Sequence, residues 1–343
     1  MKRTLGIMAL VGCMMISGTA GATTVFAEES ETWSVAEEKD KVTYEDLVKE
    51  LGELDPADIP EGTKVGVVLS EPTNEFWTTL GEGFEKGAEK YGVDVDIQYC
   101  SDAEDITGQL AIGETMINQD YDIYCFASLA DDTMASDVDL AHSKGKLVVN
   151  AVSQVISNAD CYFGYDQYVM GQTAGEYVVS KLEKGDKVAV VMGAVGTEVN
   201  TQRVAGFKDT CEEAGLEVVA ELPAEWDVEA AMNLTTDALT TDPDIKAFFC
   251  ANDNMALGVT EAVQNKGLDP QKDCIVIGVD GLSATYESMK EGGQTATVDS
   301  YGIESGERTL EMALRMLIGQ KVNRCVIGPV VAIDYENMEE YGK

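Results

Sequence analysis

The apolar run Ala247-Phe248-Phe249-Cys250 ends in Asn252-Asp253-Asn254, and Met255-Ala256-Leu257-Gly258 then opens a helical pattern. A run this apolar reads as a strand of a parallel sheet covered on both faces. Ligands of open α/β sheets bind beyond the carboxyl ends of such strands. Asn252 and Asp253 therefore stand where amide and carboxylate groups can meet a polar ligand. The same residue types are preferred helix N-caps, and capping alone would also account for them. Comparable junctions recur. Asn74-Glu75-Phe76-Trp77 follows an apolar run at 65–69, Ala224-Glu225-Trp226-Asp227 follows one at 216–222, and Asp280-Gly281 closes the run at 275–279. Phe76 and Trp77 could instead pack beneath a helix, and Asp280-Gly281 could be a plain turn.

Other chemistries find less support. His142 is the single histidine, so neither a Ser/His/Asp set nor a histidine-based metal site can be assembled easily. No Gly-x-Gly-x-x-Gly follows a strand; Gly193-Ala194-Val195-Gly196 lacks the third glycine. Asp253 and Asp280 could be proposed as a glycosidase pair, but the sequence does not set their separation. The reading is a chain that is not an enzyme and carries neither cofactor nor metal.

The elements that would position these residues alternate regularly. Strands are expected at 65–69, 93–99, 123–127 and 147–150, with helices at 75–91, 106–119 and 133–143. After 161–164 the alternation restarts, with strands at 188–192, 216–222, 247–250 and 275–279. Helices at 169–182, 202–214, 228–239, 255–264 and 284–291 separate them. This predicts an α/β fold with two doubly wound parallel-sheet lobes. A strand at 297–300, a helix at 303–317 and Val326-Ile327-Gly328-Pro329 follow. A helix after the second sheet could return to the first lobe. Crossings near Gly164-Tyr165, Ser300 to Gly302 and Gly328-Pro329 would then make a three-crossing hinge.

Lys2 and Arg3 precede a mostly apolar stretch at 5–16, and Val25-Phe26-Ala27 resembles a signal-peptidase site. Leu10-Val11-Gly12-Cys13 resembles a lipobox, which would instead anchor the chain through Cys13. The apolar run continues past Cys13, which favours cleavage after Ala27. Residues 28–61 are strongly acidic and poor in large apolar groups, and read as a partly disordered spacer with a helix at 44–51. The formal charge of −38 argues against nucleic acid and anionic membranes. The seven cysteines beyond the leader contain no Cys-x-x-Cys and read as small hydrophobes without a disulfide framework.

Taken in order, Asn74-Glu75-Phe76-Trp77, Ala224-Glu225-Trp226-Asp227, Asn252-Asp253-Asn254-Met255-Ala256-Leu257-Gly258 and Val276-Ile277-Gly278-Val279-Asp280-Gly281 resemble the periplasmic sugar-binding proteins of the ribose-binding type. The resemblance runs from about 64 to 333. It implies the type 1 periplasmic-binding-protein fold and an extracytoplasmic, monomeric receptor. Such a receptor captures a sugar between its lobes and delivers it to an ABC permease. The same receptor could instead dock on a chemoreceptor or a histidine-kinase ectodomain. The implied division is a signal peptide at 1–27, a spacer at 28–61, lobe 1 at 62–165 plus 301–328, and lobe 2 at 166–300 plus 329–343.

By position the resemblance implies that Asn74, Phe76 and Trp77 line the ligand, that Trp226 stacks on it, and that Asn252 and Asp280 bond its hydroxyls. It places Ser300 at a hinge-strand contact. Sugars suit such a set, since aromatic rings cover C–H faces while amides and carboxylates take hydroxyls. This chain also departs from the family. The Asp-Arg pair after the fourth strand is replaced by Ala151-Val152. A second-lobe arginine aligns with Thr201, and Arg203 is expected to turn away on its helix. Asn150 or Asn200 would substitute. The pocket is expected to be less charged than a ribose site.

Overall fold

The computed structural model describes residues 33–36, 38–152 and 154–343. The expected leader and cleavage site, with Cys13, lie outside them. The elements in chain order are β1 (Lys41–Thr43), α1 (Tyr44–Leu51), β2 (Lys64–Leu69), α2 (Glu75–Tyr91), β3 (Asp94–Tyr99), α3 (Ile106–Asn118), β4 (Ile123–Phe126), α4 (Ala135–Ser143), β5 (Val148–Ala151) and β6 (Cys161–Gly164). Then come α5 (Gln167–Val179), β7 (Lys187–Met192), α6 (Glu198–Ala214), β8 (Glu217–Pro223), α7 (Val228–Thr241), β9 (Ile245–Cys250), α8 (Asp253–Asn265) and β10 (Ile275–Asp280). The last are α9 (Ser283–Lys290), β11 (Ala296–Asp299), α10 (Gly302–Leu317), β12 (Cys325–Ile327) and β13 (Val331–Asp334).

The strands form two sheets. One runs β1-β12-β6-β5-β4-β2-β3, and the other β13-β11-β10-β9-β7-β8. Pairing is parallel throughout except at the edge, where β13 runs antiparallel to β11. The strands follow from their apolar runs: every residue of β4, β5 and β10 is buried, as expected where helices cover both faces of a sheet. Five helices around the cavity begin where a polar side chain takes an orphan N–H. Asn74, Asp166, Thr197, Asp227 and Asn252 cap α2, α5, α6, α7 and α8 in this way.

The chain passes between the sheets three times: from β6 to α5, from β11 to α10, and from β12 to β13. Each returning helix docks through facing glycines. A Cβ on Gly83 of α2 would sit 2.0 Å from Ile303 O of α10, and one on Gly306 would sit 2.1 Å from Leu80 O. In the other lobe, a Cβ on Gly171 of α5 would lie 1.9 Å from Arg203 O of α6, and one on Gly206 would lie 2.0 Å from Tyr168 O. Only glycine allows helix backbones this close.

The expected spacer at 28–61 needs correction in its second half. The helix at 44–51 is present, but β1 before it pairs with β12 at the sheet edge. Tyr44 Oη donates to Glu311 at 2.9 Å, Arg315 donates to Gly52 O at 2.8 Å, and Leu47 is fully buried. Asp40 accepts from Asn323 and from the Arg324 N–H. The acidic side chains face solvent while the sparse apolar ones anchor the segment. Composition averages over the two faces and so reads as disorder. The seven cysteines are free and buried. Burial pushes the Cys274 and Cys211 thiols up to about 12, which keeps them unreactive.

Candidate functional site

A cavity of about 520 Å³ lies between the carboxyl ends of the two sheets. Ser70, Asn74, Phe76, Trp77, Ser128 and Gln154 line it from the seven-stranded side, and Arg203, Trp226, Asn252 and Asp280 from the other. Tyr165 and Gln167 line it at the first crossing.

On the first side, Asn74 Oδ1 accepts the Phe76 N–H at 3.0 Å, which starts α2 and sets the two aromatics at its first turn. The Phe76 and Trp77 rings meet edge-on, 4.9 Å between centroids and 77° between planes. Both rings are half-buried, with one part packed on the core and the rest towards the cavity. Gln154 arrives from the turn after β5 and is 6% exposed.

On the second side, Asn252 both caps a helix and lines the cavity. Its Oδ1 accepts the Met255 N–H at 2.9 Å and caps α8. Its amide NH₂ has no partner among the described residues, and the side chain lines the cavity. Asp253 is wholly buried and accepts from the N–H groups of Gly281 and Leu282, from Thr297 Oγ1 and from Gln294 Nε2. Burial raises its carboxyl to about 6. Its bonds fix the loop behind Asp280, whose φ of 126° is unusual for a non-glycine residue. Ser300 N–H and Oγ hold the Asp280 carbonyl from the other side.

Arg203, expected to turn away on its helix, lines the cavity instead. It is 7% exposed. Its Nε donates to Gln167 Oε1 at 2.8 Å, and its Nη1 donates to Ala251 O at 2.6 Å. Nη1 also lies 3.8 Å from Asp280 Oδ1. Desolvation dominates Asp280 and raises it to about 8, with Arg203 only partly opposing this. Trp226 sits at φ = 65° after Glu225 at φ = 52°. Its ring lies directly over Gly193, where a Cβ would come within 2.2 Å of the indole.

Three expected contacts are corrected. Thr201 is exposed on the outer face of α6, while Asn200 and Arg203, one turn apart, face inward. The signal was present: Arg203 shares its face with Val199, Asn200, Val204 and Phe207, which are all buried. Asn200 Oδ1 accepts the Gly193 N–H and is likewise off the cavity. Asn150 is buried behind it, donating to Phe126 O and Gln154 O and accepting from Ile156 N–H. Ser300 spends its hydroxyl on Asp280 O. None of Thr201, Asn150 and Ser300 lines the cavity.

The contacts that join the lobes include Ser34 Oγ donating to Glu198 Oε1 at 2.9 Å and Lys41 Nζ on Asp166 Oδ2 at 2.8 Å. Two more lie at the rim. Glu75 Oε1 accepts the Ser283 N–H at 2.9 Å, and Asp131 Oδ2 accepts the Glu198 N–H at 3.1 Å. Glu71, Glu104, Glu225 and Asp227 also stand around the cavity, and Arg203 is the one cation among its described lining residues.

The periplasmic binding protein domain family matches residues 65–321. The D-allose-binding periplasmic protein of Escherichia coli (strain K12) is 30% identical over 256 residues, covering 72% of this chain and 82% of that protein. The ribose import binding protein of Bacillus subtilis (strain 168) is 31% identical over 267 residues, covering 78% and 85%. A solved ABC transporter solute binding protein from Bacillus halodurans C-125, with bound myo-inositol, superposes with a TM-score of 0.72 at 28% identity, covering 82% of this chain and 97% of that one.

Proposed function

The chain belongs to the periplasmic binding protein domain family, and on that premise we propose that its cavity takes a neutral, monosaccharide-sized polyol between Trp226 of lobe 2 and Phe76 and Trp77 of lobe 1. The protein is an extracytoplasmic sugar-binding receptor that serves an ABC importer. The observation that carries the ligand class is the composition of the cavity lining: aromatics from both lobes with amide, carboxylate and guanidinium groups between them. The cavity volume of about 520 Å³ falls in the ~300–1,000 Å³ range of small-molecule sites.

Charge narrows the class. Arg203 is already engaged by Gln167, Ala251 and Asp280, and the rim is acidic. An anionic sugar would face Glu71, Glu104, Glu225 and Asp227 without a free cation. The groups present can bond hydroxyls, as a site that binds a neutral sugar requires. Ligand touching both lobes favours the closed arrangement and shifts the population towards it.

A thermal-shift panel of D-allose, D-ribose, myo-inositol and their acidic or phosphorylated counterparts tests this, with calorimetry on the best hit. At least one neutral compound is expected to bind at micromolar Kd, roughly −8 kcal/mol. Response to the charged members alone would overturn the proposed ligand class.

A further inference from the structure

Gln154 is a buried amide that the fold does not use. Its Oε1 is shielded and unpaired, and its Nε2 bonds to no described residue. Its main chain, by contrast, is held firmly. The carbonyl accepts from Asn150 Nδ2 at 3.1 Å, and the residue forms an isolated bridge with Ser128. The turn that delivers it is strained. Val152 takes φ = 40°, which a β-branched side chain rarely adopts. That conformation is tied down by Val152 N–H on Phe163 O at 2.6 Å and by Tyr162 Oη on Val152 O at 3.1 Å. An unpaired buried amide and a strained backbone both oppose folding. Here they occur two residues apart and place one polar side chain on the cavity wall.

We propose that Gln154 is the lobe 1 residue that selects the ligand, by donating and accepting hydrogen bonds at two neighbouring hydroxyls. Ala151 and Val152, where the resemblance would have put a charged Asp-Arg pair, do not line the cavity, and Gln154 just after them does. An amide offers both a donor and an acceptor without charge. Its terminal torsion is soft, so either end can turn to the cavity. The assignment rests on the proposed sugar-binding function and deepens it. The selected class is neutral sugars and cyclitols with adjacent free hydroxyls, rather than sugar acids.

The test measures D-allose, D-ribose and myo-inositol binding by calorimetry to the wild type, Gln154→Leu and Gln154→Met, with melting of the unliganded proteins. Affinity for the best-bound compound is expected to fall tenfold or more in both variants. The unliganded melting temperature is expected to hold or rise, because the unpaired amide is gone. Among monodeoxy forms of that compound, one should bind the wild type weakly and lose nothing further in Gln154→Leu. Unchanged affinity in both variants would overturn the assignment, as would a lowered melting temperature with affinity retained. Binding of none of the three compounds by the wild type would overturn the sugar reading itself, and Gln154 would fall with it.

Discussion

The two walls of the cavity are built on opposite plans. Apart from the Asn252 amide, lobe 2 presents polar groups that are already bonded to one another: Gln167 holds Arg203, Arg203 faces Asp280, and Asp253 pins the loop behind it. Lobe 1 presents rings and a polar group with nothing to bond, Phe76, Trp77 and Gln154. Preorganised groups lose little freedom when a ligand arrives, so lobe 2 is the wall that holds the ligand's hydroxyls first. Lobe 1 gains partners only when the ligand bridges the gap. The contrast extends to buried carboxyls. Asp253 in lobe 2 accepts four hydrogen bonds, whereas Asp137 in lobe 1 has Oδ2 buried without any.

The sharpest way to break this contrast is to unpair lobe 2. Arg203→Met would leave Gln167 Oε1 and Ala251 O without their donor and Asp280 without its cation. Leaving two buried acceptors unsatisfied costs about 1–3 kcal/mol each. Asp280 adds little to this, because its carboxyl, raised to about 8, is already largely protonated near neutral pH. Urea unfolding would measure the loss, and sugar binding should fall at least a hundredfold. Stability within 1 kcal/mol of the wild type would show that the pairing carries no weight.

Trp226→Ala removes the one large ring on the lobe 2 wall without touching its ion pair. Calorimetry should show an affinity loss of about tenfold or more, and an unchanged Kd would remove the indole from the site. A finer cut separates the two ends of one side chain. Asn252→Ser keeps a capping oxygen, and serine caps about as well as asparagine. It removes the free NH₂. Melting should barely move while affinity falls several-fold. A lower melting temperature with full affinity would make Asn252 a cap only.

The smallest effect belongs to Asp137. Burial raises its carboxyl to about 6, above its ordinary 3.8. A carboxyl raised on folding contributes stability that is fully present below pH 3.8 and is lost as pH rises through 6. Asp137→Asn should flatten the fall in unfolding free energy between pH 4 and 6.5. It should also stabilise the protein by about 1 kcal/mol at pH 7.5, since the unsatisfied charge is gone. A parallel pH profile in the variant would contradict this.

The alternation of strands and helices was legible because apolar runs and capping residues are local. Asn74 and Asn252 could be placed at strand ends for the same reason. Which way a side chain points at the end of an element is set by partners far along the chain. Asn150 ends an apolar strand as plausibly as Asn252 does, yet it turns to Phe126 O and Ile156 N–H. Arg203 depends on how closely α5 and α6 pack, and thus on Gly171 and Gly206. The turn of Asn150 does not show in a window of neighbouring residues, whereas the buried face of Arg203 does, through its helical spacing from Val199 and Phe207. The strand β1 was hidden similarly, since its three residues are defined by pairing with Cys325, Val326 and Ile327.

The bonds of Glu75 and Asp131 across the rim bear on how readily this cavity empties. Both carboxylates meet backbone N–H groups at the first turns of α9 and α6. Water can replace either partner at such exposed helix ends. Parting the lobes therefore leaves no stranded donor, and these contacts resist little more than solvent exchange would. The surface Lys41–Asp166 pair and the Ser34–Glu198 bond add little more, so residence time is governed by what the occupant itself bonds. A tight occupant keeps the door shut, and the rim adds only a light catch.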